Sequence, residues 1–180
     1  LRRKYDITHF ASGDSKTSAK LIPLTEKGIW LQKELRSPHA YINTAIETIY
    51  RRRNSFDLFH NHFDFFMFPL CLLKTIPILT TLHRPIDPVS VQAYRAYGKI
   101  KFCAISNDQR QSAEENGIPI MAVVYNGIAP EKYIFRETAD DYFMYLGRIN
   151  KEKGIIDAIN VAREAGVKLL VAGNIVGGDE

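Results

Sequence analysis

The sequence predicts an α/β fold built on a parallel sheet. Three observations carry that expectation. Short β-branched and aromatic runs alternate with stretches of helical periodicity along most of the chain. Cap residues, Ser before a helix and Gly after it, fall between those segments where strand–helix–strand units need them. Of the 180 residues, 46% are hydrophobic and 24% charged, a globular balance that supplies a core. Strands that alternate with helices pair in parallel, because the helix carries the chain back to the edge of the sheet where the next strand starts.

The elements follow in order. YDITHF, Tyr5–Phe10, reads as a strand, and the small polar residues that open ASGDSKTSAKLIPL read as a loop. Ser37-Pro38 starts a helix, with Ser as N-cap and Pro in the first turn. Ile42, Ala45, Ile46, Ile49 and Tyr50 keep helical spacing and mark its buried face. Arg51, Arg52 and Arg53 close it, where cations suit the helix C-terminus. Strands are expected at Phe56–Phe59, Ile76–Leu82, Lys101–Ile105 and Ile120–Tyr125, with a helix after Pro88. Ser106 and Gln109 make a capping box for another helix, which Asn116-Gly117 stops. A polar link, Ala129 to Asp141, precedes a last strand–helix–strand unit at Tyr142–Leu146, Gly154–Ala165 and Val167–Ala172, with Gly166 ending the helix. The link is the expected domain boundary, with one domain at 1–138 and the beginning of another at 139–180.

Bulk charge narrows the function only slightly. A net charge of +4 suits phosphates, nucleic acid or an acidic membrane surface without choosing among them. Arg51–Arg53 reads as a solvated helix end, and no basic-aromatic interleaving points to nucleic acid. Cys71 and Cys103 follow no metal spacing and sit in apolar segments, which suggests reduced thiols and the cytoplasm. The most apolar stretch, FDFFMFPLCLL, is too short for a bilayer and is interrupted by Asp64 and Pro69. Its aromatics suit a core first and peripheral contact with lipid second. The chain opens at Leu1 without Met and reads as a segment of something longer.

In open α/β sheets ligands sit at the C-terminal ends of strands. Here those ends are polar: His60 and His62; Thr80, Thr81 and His83; Ser106 and Asn107; Asn126-Gly127; Gly147-Arg148; and Gly173-Asn174. Six such ends point to a cleft. Two histidines after a strand also suit a metal, but a metal wants further ligands, and only Asp57, Asp64 and His83 are near in sequence. Loop histidines that bond backbone or ligand are the reading taken, with no metal site. TTLHRP crowds hydroxyls, an imidazole and a guanidinium around His83, a set suited to a sugar or phosphate. In YLGRINKEKGIIDAIN, Gly147 permits a close backbone approach, Arg148 offers a charged fork, Lys153 adds a second cation and a helix N-terminus follows. Those positive sources suit a diphosphate; a solvated Arg/Lys turn is the alternative.

With these residues in view the chain resembles the retaining glycosyltransferases of family 4, which have the GT-B fold of two Rossmann-like domains facing across a cleft. FDLFHNHFDFF, IPILTTLHRP, FCAISNDQRQ, VVYNGI, YFMYLGRINKEKGIIDAINVAREAG and LLVAG each resemble a family segment and stand in family order, from about Tyr5 to the end. The resemblance implies a Rossmann-like N-terminal acceptor-side domain and an incomplete Rossmann-like βαβ start of a nucleotide-sugar domain. It places Arg148 and Lys153, with Gly147, on the donor diphosphate and His83 near the transferred sugar. His60, His62, Ser106, Asn126 and Gly127 then fall to the acceptor side of the cleft. The family's first strand and glycine-rich loop are expected before Leu1, and its E-x7-E glutamates after Glu180. Without them this chain is expected to bind donor poorly and turn over slowly or not at all.

The implied reaction moves a sugar from a nucleoside-diphosphate sugar to a hydroxyl of a carbohydrate or lipid-linked acceptor, with retention. Permanent cations, rather than a metal, neutralise the leaving diphosphate. No cofactor is implied beyond the donor, and no carboxylate stands out as a general base. Rival readings are a sugar-nucleotide epimerase of the same fold, a non-catalytic binding module, and a nucleic-acid binder resting on charge alone.

Overall fold

The computed structural model describes residues 4–29, 37–73 and 77–175. The chain divides into two compact units, Leu1–Gly127 and Ile128–Glu180.

Among its described residues the first unit has six strands, all paired in parallel. β1 (Thr8–Ser12) pairs with β2 (Lys20–Thr25). β3 (Phe59–Asn61), β4 (Ile78–Thr81), β5 (Lys101–Ala104) and β6 (Ile120–Val123) form a four-stranded sheet in that order. Its described residues also form α1 (Pro38–Arg51), the short α2 (Phe68–Cys71), α3 (Pro88–Ala96) and α4 (Asn107–Glu115). This is a mixed α/β arrangement of Rossmann-like kind, with parallel strands and flanking helices.

The core lies between the sheet and these helices. Phe68, Leu82, Tyr94, Phe102 and Ile118 are its largest fully buried side chains. Phe68 is ringed by Tyr94, Tyr97 and Phe102 at centroid separations of 5.5 to 5.8 Å. Each such aromatic stabilises the fold by about 1.5–3 kcal/mol relative to an exposed ring. The aromatic run FDFFMF thus supplies core residues at Met67 and Phe68, while Leu72 and Leu73 at its end stay exposed.

Several expectations need correction. KLIPL, taken with the loop before it, forms β2. Pro23 masks it as a strand, yet the strand tolerates Pro because β1 is its one partner among the described residues. The strand expected at Phe56–Phe59 begins at Phe59, so His60 lies inside β3 rather than after it. Residues Arg53–Ser55 make a 3-10 turn instead, and the Phe56 ring packs on Phe10 and Phe59 at 5.5 and 5.2 Å. In α1, Ile42, Ala45 and Ile49 are buried as spaced, but Tyr50 is exposed and lies under the Arg53 guanidinium at 4.1 Å. Ser37 holds the N-cap position without making a side-chain cap bond. Ile76, expected to start β4, falls outside the described residues.

The arginine run serves its own helix end. Arg52 donates to the Thr48 carbonyl and Arg53 to the Tyr50 carbonyl, while Arg51 pairs with Glu47. Two other helix ends follow the sequence closely. Gly117, with φ 71°, and Gly166, with φ 65°, take the left-handed conformation that closes a helix. At each, the next residue donates five positions back, Ile118 to Ala113 and Val167 to Ala162.

The second unit contains β7 (Phe143–Leu146), α5 (Ile155–Ala165) and β8 (Leu169–Ala172). β7 and β8 pair in parallel, from Phe143 opposite Leu169 to Leu146 opposite Ala172, and Ile149 bridges to Ile175 beyond. The segment before β7 carries one 3-10 turn, Pro130–Lys132. Among the described residues no helix is long and apolar enough to cross a membrane.

Candidate functional site

Parallel pairing puts the C-terminal ends of β3 to β6 at one edge of their sheet. Three of the histidines meet there. His60 and His62 alternate with inward-facing Phe59 and Asn61, so both rings share one side of β3 and stack at 4.1 Å. His62 then reaches His83, just beyond β4, with ring centroids 5.1 Å apart and Nδ1 of His62 2.8 Å from Nε2 of His83. Nε2 of His60 bonds the Thr81 hydroxyl at 2.8 Å. Among the described residues no group of three or more His, Cys, Asp and Glu is placed to hold a metal ion.

What holds this edge in place is a buried polar layer beneath it. Asn61, 5% exposed, donates from Nδ2 to the Asp64 carbonyl and the Thr80 hydroxyl, and its Oδ1 accepts from the Phe63 amide. That side chain closes the turn that presents His62. Asp64 sits in the left-handed region at φ 54°, the sole non-glycine to do so among the described residues. Its Oδ1 accepts from the Tyr94 hydroxyl at 2.7 Å, while Oδ2 is buried without a hydrogen bond, 3.9 Å from Nε of Arg84. The sequence reading named Asp64 only as a carboxylate near a conceivable metal site and as a break in the apolar run, and gave no role to Asn61 or Tyr94. The available signal was one carboxylate set within an otherwise aromatic run.

Ser106 and Gln109 fix the neighbouring loop. The Ser106 hydroxyl accepts from the Gln109 amide, as a cap should. The other half of the expected box differs: Oε1 of Gln109 accepts from Ile105 and its Nε2 donates to the Arg84 carbonyl. Buried Gln109 therefore ties the loop after β5 to the loop after β4, next to His83. Ser106 is committed to this cap. Asp87 makes a full capping box with Ser90 at the head of α3, which the sequence reading had not identified. Asn126 and Gly127 are exposed beyond β6, and nothing stands within 4 Å of where a Gly127 Cβ would be.

Imidazoles packed like this resist protonation. Burial, then the neighbouring rings of His60, His83 and His9, hold the His62 midpoint down to about 4. Burial and His83 lower that of His60. The unfolded chain protonates these rings near pH 6.5, so unfolding takes up protons between about 6.5 and 4. Their contribution to stability is complete above that window and is lost as pH falls through it. Melting temperature is expected to fall from pH 6.5 to 4, and less steeply in a His62→Phe chain; parallel curves for the two would show that His62 does not titrate abnormally.

The two thiols offer no nucleophile. Both are free, Cys71 half-buried and Cys103 buried, and desolvation pushes Cys71 up to about 11 and raises Cys103 as well.

In the second unit Gly147, Arg148 and Lys153 lie between β7 and α5. The Tyr145 hydroxyl donates to the Arg148 carbonyl at 2.8 Å and lies 3.4 Å from that of Lys153, so one phenol ties both residues' backbones together. The Arg148 guanidinium makes a long, exposed contact with Glu152, 3.4 Å. Lys153 ends a 3-10 turn, and its amide is taken by the Asn150 side chain at 3.1 Å. α5 starts two residues later than Lys153, with Gly154 at its N-cap in the left-handed conformation and Asp157 in its first turn. Both cationic side chains thus remain on an exposed turn, without burial to fix them.

No family model matches the chain, and no curated protein matches it. The functional reading therefore rests on the residues themselves.

Proposed function

We propose that this chain forms part of a retaining glycosyltransferase that takes a nucleoside-diphosphate sugar as donor. In this reading the first unit is the acceptor-side domain of a GT-B protein and the second begins its donor domain. Arg148 and Lys153 bind the diphosphate and oppose the charge it gains as leaving group. His83 faces the transferred sugar, with His60, His62, Asn126 and Gly127 on the acceptor side. Ser106 acts there through the loop it caps.

The observation that supports this best is the turn after β7. One phenol gathers the backbones of Arg148 and Lys153 at the C-terminal end of a parallel strand, ahead of a helix. A guanidinium and an ammonium carried on one such turn match the two oxyanions of a diphosphate. Glu152 is a weak competitor, since exposed pairs are worth at most about 1 kcal/mol.

Calorimetric titration with UDP, GDP and ADP tests the assignment. Arg148→Ala is expected to weaken the best of them by about thirtyfold, near 2 kcal/mol, and affinity is expected to fall with added salt. Unchanged affinity in a folded variant removes Arg148 from the site. Product analysis separates the epimerase: it would convert a nucleotide sugar without acceptor, whereas a transferase couples diphosphate release to glycosylation of an acceptor.

A further inference from the structure

We propose that His62 is the positioning residue for His83, fixing which ring nitrogen of His83 is free to meet a sugar hydroxyl. The inference rests on the reading that His83 faces the sugar, and deepens it. Its physical basis is the pair itself.

Nδ1 of His62 and Nε2 of His83 are 2.8 Å apart. Only one proton fits between two nitrogens at that distance, so one ring donates and the other accepts. Whichever way the proton lies, Nε2 of His83 is used up. Nδ1 is the nitrogen left for a ligand, and its state is the complement of the shared one. If His62 donates, Nδ1 of His83 carries the hydrogen and is itself a donor; if His62 accepts, Nδ1 is an acceptor. The tautomer of His83 is therefore written by His62.

The surroundings hold His62 in the middle. His60 stacks on its other side at 4.1 Å and is itself tied to Thr81. Asn61 locks the backbone turn from which His62 projects. His83 lacks such support from its own loop side chains, and the tie from Gln109 reaches only the Arg84 carbonyl. The pair also accepts at most one positive charge, because two protonated rings would point N–H at N–H. Besides His83, the rings of His60 and His9 lower the His62 midpoint.

Long-range nitrogen–proton NMR on the intact chain reads tautomers directly. In the wild type, Nε2 of His83 is expected to be engaged in the hydrogen bond and Nδ1 to be the nitrogen left open. His62→Phe keeps a flat ring in the stack but removes the partner. His83 is then expected to show averaged tautomers, because nothing holds its Nε2. His62→Gln, whose amide can either donate to or accept from Nε2 of His83, is expected to restore the engagement of that nitrogen. A His83 signal unchanged in His62→Phe, or a wild-type His83 whose Nε2 carries no hydrogen bond, overturns the proposal. The wild-type arm decides even where the variant fails to fold. None of these readouts requires sugar transfer, so absence of transferase activity would remove the functional reading while leaving the pair intact.

Discussion

Alanine at position 173 is expected to disrupt the second unit by about 3 kcal/mol or more. β7 and β8 run on past their ends: Gly147 donates to the Ala172 carbonyl at 3.1 Å and Ile149 to that of Asn174 at 3.0 Å. Between those two bonds the backbones of Gly147 and Gly173 are pressed together. A Cβ on Gly173 would fall inside the contact radius of the Gly147 carbonyl oxygen, 2.9 Å from its carbon and 3.4 Å from Cγ1 of Ile149. The obstacle is backbone, which cannot rotate aside like a side chain. Overpacking of a tight site costs about 1–3 kcal/mol, and more where the backbone must move. The unit has little reserve, since among its described residues only Ile155 and Ala162 are buried. Moving the Gly147 carbonyl aside also shifts the adjoining Arg148, so on the proposed reading nucleotide binding is expected to fall with stability. Urea unfolding followed through resonances of 128–175 measures this, with Gly127→Ala as the control because its Cβ would meet nothing within 4 Å. A Gly173→Ala chain that unfolds like the wild type would show that the two strand ends are free to part.

That pair of glycines illustrates what a sequence can and cannot declare. Gly117 and Gly166 were legible because helix termination is local: the same few residues hold the pattern and the φ that satisfies it. The Ser106 cap was legible for the same reason, and so were polar strand ends in an alternating fold. Gly173 stood out only as one glycine at a strand end. Its necessity comes from Gly147, 26 positions earlier in the chain. β2 was missed because Pro23 carries a strong local signal against strands, and only its place beside a single partner makes Pro acceptable. The start of β3 was misjudged because Phe56 and Phe59 are equally strand-like, and the choice between them is made by pairing with β4, which starts at Phe59 opposite Ile78. Gln109 shows the same limit at the site. Its amide end follows a capping pattern, but its Nε2 bonds Arg84, a partner no spacing rule could name.

Removing a single oxygen atom from Tyr94 is expected to cost about 2 kcal/mol. Tyr94 is 1% exposed and packs on Phe68 and Phe102 at 5.8 and 5.9 Å, contacts that Phe would keep. Tyr94→Phe therefore isolates the bond from its hydroxyl to Oδ1 of Asp64. The other carboxylate oxygen is buried without a hydrogen bond, and Arg84 at 3.9 Å is too far to supply one. Losing the donor leaves a largely buried carboxylate with no hydrogen bond, on a residue whose left-handed backbone is already strained. Hydrogen bonds to charged groups contribute about 1.5–3 kcal/mol, which sets the scale. Asp64→Asn should lower that cost when combined with Tyr94→Phe, because a neutral amide is cheaper to bury and Asn tolerates the left-handed region. A double-mutant cycle in urea would show the coupling. Alkaline pH supplies an independent check. Burial, the hydrogen bond to Asp64 and its charge raise the Tyr94 midpoint, so the folded state keeps a proton that the unfolded chain releases near pH 10. The wild type's advantage is complete below that pH and shrinks as pH rises further, whereas Tyr94→Phe has no such group to lose. The stability gap between the two chains should therefore narrow above about pH 10. Equal stability at pH 7 would mean that the Asp64 carboxylate finds another donor, and the Tyr94–Asp64 bond would no longer be part of the buried layer beneath His62 and His83.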